Sequence, residues 1–136
     1  MNGHFMMLRV TVKDGERALL TRNGRFERVL EPGRHKLFDP KRELGVELHQ
    51  VVRAEFPADR YAVLKAARPD VAAALFEAIE TGADEVAIVR LDGRPVHLMA
   101  PWQTRVFWKV ATKVEAERID VASDPKVKPR DRKSVV

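Results

Sequence analysis

The sequence predicts a mainly β protein of the α+β class, with two tandem antiparallel β-meander repeats and one or two connecting helices. The stretch that begins at Glu16 recurs from Glu85, 69 positions later, with its turn residues and apolar residues in step. Each copy holds a hairpin dipeptide, Asn23-Gly24 or Asp92-Gly93, between two short apolar runs. Between the copies, Pro57, Asp59 and Pro69-Asp70 can open short helices, and Gly82 can close one. A duplicated β-frame with a helical connection accounts for these observations.

The first repeat is predicted to occupy residues 1–57. Its expected strands cover residues 16–22, 25–30, 34–38 and 46–56. Asn23-Gly24 predicts a tight hairpin turn, because both central residues of a type I′ turn need positive φ, which Asn tolerates and Gly adopts freely. Pro32-Gly33 predicts the turn before the third strand.

The second repeat is predicted to occupy residues 83–122. Its expected strands cover residues 85–91, 94–99, 103–108 and 114–122. Asp92-Gly93 replaces Asn23-Gly24, and Pro101-Trp102 stands where Pro32-Gly33 stood. Phe107 aligns with Phe38, which favours a core position for Phe107, and residues 46–51 align with 114–119 after a one-residue slip.

The connection over residues 58–82 is predicted to be helical. Pro57 and Asp59 favour a short helix over 60–67, and Pro69-Asp70 opens a second helix that Gly82 closes. In that second helix Val71, Leu75, Ala78 and Ile79 would share one face, which we interpret as core packing.

Composition limits the chemistry that this chain can perform. Its 136 residues carry a formal charge of +5 and no cysteine, which excludes disulfides, thiolate nucleophiles and cysteine-ligated metals. The two serines, Ser123 and Ser134, lie in or beside a polar tail, and the four histidines lack the spacing of metal ligands. We therefore predict no catalytic, cofactor-binding or metal-binding residue and no enzymatic activity.

Residues 123–136 are expected to form a basic, flexible tail or linker, since they are rich in charge and contain two prolines. Its cations are Lys126, Lys128, Arg130, Arg132 and Lys133. They are candidate contacts for phosphates or acidic lipid headgroups, although such clusters are usually solvated. Trp102 and Trp108 are a second set of candidates, for a partner patch or for the core.

The run from Gly15 to Phe38 resembles the opening of the slipin/stomatin branch of the band-7 (SPFH) family. It places Gly15-Glu16-Arg17, Gly24-Arg25-Phe26 and Pro32-Gly33-Arg34-His35 at that family's spacing, and residues 114–125 are similar to a strand and Asp-Pro segment of bacterial slipins. In those proteins the strand motif can recur before the main domain. The chain thus resembles such an N-terminal region, without the family's hydrophobic anchor, complete SPFH domain or heptad repeats.

The resemblance implies a non-catalytic scaffold or assembly module that contacts other protein chains, including copies of itself. Exposed strand edges would support such contacts. It also implies a cytoplasmic location, peripheral to a membrane as part of a longer protein, with membrane contact only through other regions or the basic tail. A nucleic-acid partner is not expected. The main alternative is a small soluble binding protein whose tail contacts nucleic acid or anionic lipid, and an enzyme with an unrecognised pocket is the third.

Overall fold

Eleven antiparallel strands and two short helices make up the computed structural model, which describes residues 6–121. The strands are β1 (Met7–Val12), β2 (Glu16–Arg22), β3 (Arg25–Leu30), β4 (Gly33–Phe38), β5 (Leu44–Gln50), β6 (Glu55–Phe56), β7 (Phe76–Glu80), β8 (Glu85–Leu91), β9 (Arg94–Met99), β10 (Thr104–Trp108) and β11 (Val114–Asp120). The helices are α1 (Ala58–Ala67) and α2 (Pro69–Leu75). The predicted class, α+β and mainly β, is confirmed.

Strands β1 to β5 form a first unit of two layers. One layer is a ribbon of β1 and β4, and the other is a three-stranded sheet in the order β3-β2-β5. The meander order expected from the sequence is therefore wrong, because β4 pairs with β1 and not with its neighbour β3. The expected strands began only at residue 16, so they did not include Met7–Val12, which is the true partner of β4.

Strands β7 to β11 repeat this plan as a second unit, with a ribbon of β7 and β10 and a sheet in the order β11-β8-β9. The short strand β6 extends the second ribbon along β10. The two hairpins share their register and a bulge, which follows Leu20 in β2 and Val89 in β8. Their turns also agree: Asn23 and Gly24 have φ of 52° and 81°, and Asp92 and Gly93 have φ of 54° and 85°. The hairpin is thus duplicated in detail.

Each unit buries its own small core between its ribbon and the inner face of its sheet. In the first unit this core contains Val10, Val12, Ala18, Leu20, Leu30 and Leu37. In the second unit it contains Ile79, Ala87, Val89, Leu91, Met99 and Phe107. Because side chains alternate between the faces of a strand, the neighbours of these residues point to the outer faces.

A central core joins the two units. The outer face of the first sheet contributes Leu19, and the outer side of the second ribbon contributes Phe76, Val106 and Trp108. Both helices add buried side chains to the same cluster, among them Leu64 and Leu75. The rings of Phe56, Phe76 and Trp108 lie together, with centroids 4.4 Å apart for Phe56–Phe76 and for Phe76–Trp108. The fold is thus a stack of ribbon, sheet, central core, ribbon and sheet.

The first connecting helix agrees with its prediction, but the second does not. The expected helix from Pro69 to Gly82 ends at Leu75, and Phe76–Glu80 form β7 instead. Strand β7 is apolar on both sides, because Ile79 faces the core of the second unit while Phe76 and Ala78 face the central core. Without a polar face it shows no period of two, and its apolar residues also fit a helical spacing.

Two alignments between the repeats are also corrected. Phe107 is buried as expected, but Phe38 is 63% exposed, and the buried residue of β4 is Leu37. Met7 pairs with Phe38 but Phe76 pairs with Trp108, so β10 is shifted relative to β4 by one position and the matched phenylalanines lie on opposite faces. In the sheets, Leu19 pairs with Glu47 and Ile88 pairs with Glu117, so Glu47 corresponds to Glu117. The alignment of residues 46–51 with 114–119 is therefore wrong, because the one-residue slip between the two fourth strands runs in the opposite direction.

The fourth strand of each repeat is shorter than expected. Residues 46–56 are interrupted after β5, where Arg53 takes a positive φ of 49° before β6 begins at Glu55. The Arg53 amide donates to Thr112 Oγ1 at 2.6 Å, and its guanidinium pairs with Asp92 at 3.0 Å. Hydrogen bonds from the Lys113 amide and from Arg53 lower the pKa of Asp92. This bend therefore ties the end of the first unit to the second hairpin.

Within residues 6–121, neither helix is long and apolar enough to cross a bilayer.

Replacing Trp108 with alanine should lower the free energy of unfolding by about 3–5 kcal/mol, because the substitution leaves a cavity in the central core. Urea unfolding followed by far-ultraviolet circular dichroism measures the change. The matched control is Trp102→Ala, which truncates a 77% exposed ring and should change stability by no more than about 0.5 kcal/mol. Equal effects of the two substitutions would contradict the central position of Trp108.

Candidate protein-binding surfaces

The outer face of the second sheet is an apolar surface at the end of the stack, which we call the open face. Its apolar members are Val86, Ile88, Leu98 and Ile119. They are contiguous, since Val86 lies opposite Ile119 and Ile88 lies opposite Leu98 in the antiparallel ladders. Leu98 is 73% exposed and Ile119 is 41% exposed, so two large aliphatic side chains of this group face solvent. Contiguous exposed apolar residues of this kind mark interaction sites.

The corresponding face of the first sheet is covered. Leu19, the counterpart of Ile88, is 3% exposed within the central core, and Val29, the counterpart of Leu98, packs against that core. His49 lies on the same face, with its ring 5.6 Å from that of Trp108. The same position in the duplicated frame is therefore buried in one unit and open in the other.

Charged side chains border both faces. On the first sheet, partial burial opposes ionisation of Glu47, but hydrogen bonds from Arg60 and His49 outweigh it and lower the pKa of Glu47. On the open face, Glu117 pairs with Arg90 at 2.9 Å, and Glu115 lies 3.5 Å from Lys113. The open face thus combines an apolar centre with a charged border, which is the usual anatomy of a protein interface.

Trp102 is the most exposed aromatic residue of the described chain, at 77%. It lies in the turn between β9 and β10 and has a φ of +61°, and its amide donates to the Gly82 carbonyl at 3.2 Å. A left-handed conformation is costly for a bulky residue, and strain of this kind is concentrated at functional positions. Trp102 therefore remains a candidate contact residue, and it lies close to the end of β9.

The other predicted site residues are placed as follows. Trp108 is 1% exposed and belongs to the central core, so it is not available to a partner. The tail residues Lys126, Lys128, Arg130, Arg132 and Lys133 lie outside the described residues. The predicted turn residues Asn23, Gly24, Pro32, Gly33, Asp92, Gly93 and Pro101 all lie between consecutive strands or at the start of one.

A groove of about 720 Å³ runs between the first hairpin and α1. Leu19, Phe56 and Leu64 line it, and these residues also belong to the central core. Two of its polar side chains bind within the protein, because Arg60 pairs with Glu47 at 2.7 Å and Arg68 donates to the Glu27 carbonyl at 3.1 Å. We interpret the groove as the packing seam between hairpin and helix.

Residues 6–121 contain no cluster of three or more His, Asp or Glu side chains that is placed to hold a metal ion. Comparison of the chain with protein-family models, with curated proteins and with solved structures finds no match. The resemblance to the slipin/stomatin branch therefore stays a prediction.

Sequence reasoning missed the open face, because it treated the apolar residues of β8 and β9 as frame residues. A signal for it exists in the strand itself. From Val86 to Val89 the residues of β8 are all apolar, so both of its faces are apolar. Such a strand is typical of a sheet that is covered on both sides. One cover is the second ribbon, and no described residue supplies the other.

Replacing Trp102 with glycine should raise the free energy of unfolding by about 0.5–1 kcal/mol. Relief of the left-handed conformation contributes roughly 1–2 kcal/mol, and the greater freedom of glycine in the unfolded chain offsets part of it. Thermal or urea unfolding measures the change. Trp102→Ala is the control, since alanine also disfavours this φ and should give no gain. A loss of stability in the glycine variant would mean that the indole makes stabilising contacts.

Proposed function

We propose that this chain is a non-catalytic scaffold or assembly module that works through protein contacts. One observation carries the proposal. The open face exposes Leu98 to solvent and leaves Ile88 half-buried, at positions whose counterparts, Leu19 and Val29, are packed against a second layer. The open face has the apolar residues of a covered sheet face, but no residue within 6–121 covers it. We therefore infer that it is covered by a partner outside these residues.

The shape of the open face, its edge strand and the nearby Trp102 favour a protein partner over a small molecule. The face is a sheet surface, without the concave pocket that a small ligand requires. Its edge strand β9 also offers backbone groups to a further strand, and Val96 and Leu98 on that edge are 44% and 73% exposed. Trp102 follows the same strand, and tryptophan is enriched among the residues that dominate binding energy.

This proposal agrees with the role that the slipin-like motifs imply, namely assembly of a larger membrane-associated structure with no chemistry of its own. The alternative, binding of nucleic acid or anionic lipid by the basic tail, rests on residues outside the described range.

Cysteine accessibility tests whether the open face is covered in the cell. The chain has no cysteine, so Leu98→Cys introduces a single thiol on the face, and Val63→Cys places a matched thiol on α1, where Val63 is 71% exposed. We expect a membrane-permeable maleimide to label the Leu98→Cys variant at least about tenfold more slowly in the native cells than in dilute purified protein. The Val63→Cys variant should be labelled equally fast in both settings. Equal labelling of Leu98→Cys in cells and in dilute solution would contradict a protein-binding role for the face.

A further inference from the structure

The two ends of the stack carry different surfaces. At one end lies the open face, and at the other lies the outer side of the first ribbon, which we call the outer ribbon face. Its members are Met7, Arg9 and Thr11 of β1 and Arg34, Lys36 and Phe38 of β4. They alternate with residues of the first unit's core and lie side by side across the ladder, where Met7 faces Phe38 and Arg9 faces Lys36.

These two surfaces are the counterparts of the two surfaces that meet in the central core. Phe76 faces Trp108 in the second ribbon, just as Met7 faces Phe38 in the first. Ile88 faces Leu98 in the second sheet, just as Leu19 faces Val29 in the first. These four matched positions are apolar at the ends of the chain as well, whereas Lys36 stands at the position where Val106 is buried in the second ribbon.

Phe38 is an unusually exposed aromatic residue on the outer ribbon face. The ring is 63% exposed, in a strand whose other outward residues are Lys36 and Arg34. Its counterpart Trp108 is 1% exposed and forms the centre of the internal contact. A large aromatic ring at this position is explained if it too is covered when the protein is assembled.

The two ends of the stack differ in charge. Among its six residues the outer ribbon face has three cations, Arg9, Arg34 and Lys36, and no acid. The open face carries Glu115 and Glu117 beside its apolar centre, and these acids pair with Lys113 and Arg90. The positions of Arg9 and Lys36 correspond to those of Ala78 and Val106 in the second ribbon, whose outer side is covered by the central core. Like charges oppose the pairing of two outer ribbon faces, whereas the paired acids and cations of the open face do not oppose the ribbon-to-sheet pairing.

We propose that the partner of the open face is a second copy of this chain, which docks its outer ribbon face there and so repeats the internal contact between copies. The inference rests on the proposed function and names its partner. Because the two surfaces differ, the contact is head-to-tail, and each added copy leaves a free surface at both ends. Repeat units that stack on one another produce such open assemblies.

A pair of complementary variants tests this arrangement. Leu98→Asp damages only the open face, and Phe38→Asp damages only the outer ribbon face, and both sites are exposed enough for the fold to persist. Circular dichroism and thermal unfolding verify folding, and Leu98→Ser and Phe38→Ser serve as milder substitutes. Val63→Asp is the matched control, since it places the same charge at an exposed valine of α1 that lies on neither surface.

Sedimentation velocity of the purified chain over a range of concentrations gives the readout. We expect the wild type and Val63→Asp to form a series of oligomers, and each single variant to associate at least about tenfold more weakly. An equal mixture of Leu98→Asp and Phe38→Asp should form a 1:1 dimer and nothing larger, because it restores one intact junction.

Three results would overturn the inference. The wild type could stay monomeric up to about 1 mM, a concentration that would detect even a weak contact. Phe38→Asp alone could dimerise, which would indicate pairing of two open faces. The mixture could stay monomeric while Phe38→Asp loses binding to phosphatidylserine vesicles, which would make the outer ribbon face a lipid surface. Slow labelling of the Leu98→Cys variant in cells, together with a monomeric purified chain, would keep the proposed function and assign the open face to a different protein.

Discussion

The contact of Trp108 with Phe56 and Phe76 is the interaction on which the rest of the architecture depends. These three rings come from β10, β6 and β7, and His49 of the first sheet lies 5.6 Å from Trp108. Each unit has only a small core of its own, and two layers of short strands bury little apolar surface. The central core supplies the missing burial and fixes how the units stack. The two helices add Leu64, Ala72 and Leu75 to this core.

A stack of two-layered units has a geometric consequence for function. Every unit has an outer ribbon side and an outer sheet side. The junction between the two units buries the sheet side of the first and the ribbon side of the second. Two surfaces therefore remain at the ends, whatever the strength of the junction. In this chain both carry large apolar side chains, Phe38 at one end and Leu98 at the other. The positions where a partner is expected are thus determined by the duplication itself, and no pocket or reactive group is needed to account for them.

The local features of the fold could be predicted from the sequence, and the long-range pairing could not. Asn23-Gly24 and Asp92-Gly93 determine their hairpins through positive φ, which is a property of two residues. The pairing of β1 with β4 joins residues more than twenty positions apart, and no short motif specifies it. The change from α2 to β7 was hidden because Phe76 and Ile79 are buried on opposite faces, so the alternation that identifies a strand is absent.

The same limit applies to the candidate site. Trp102 and Trp108 were both chosen because they lie with Phe107 near one turn and strand, and the sequence left a partner patch and the core open for them. Trp102 is exposed and Trp108 is buried, a difference that depends on packing between distant strands. The open face was missed for a related reason. Ile88 and Leu98 resemble Leu19 and Val29 so closely that sequence comparison assigns both pairs the same structural role. Only the fold shows that, among the described residues, one pair has a cover and the other does not. The similarity indicates that the open face is also covered in the assembled protein. A sheet face that stays exposed to water normally carries polar residues, whereas this one has the aliphatic residues of its buried counterpart.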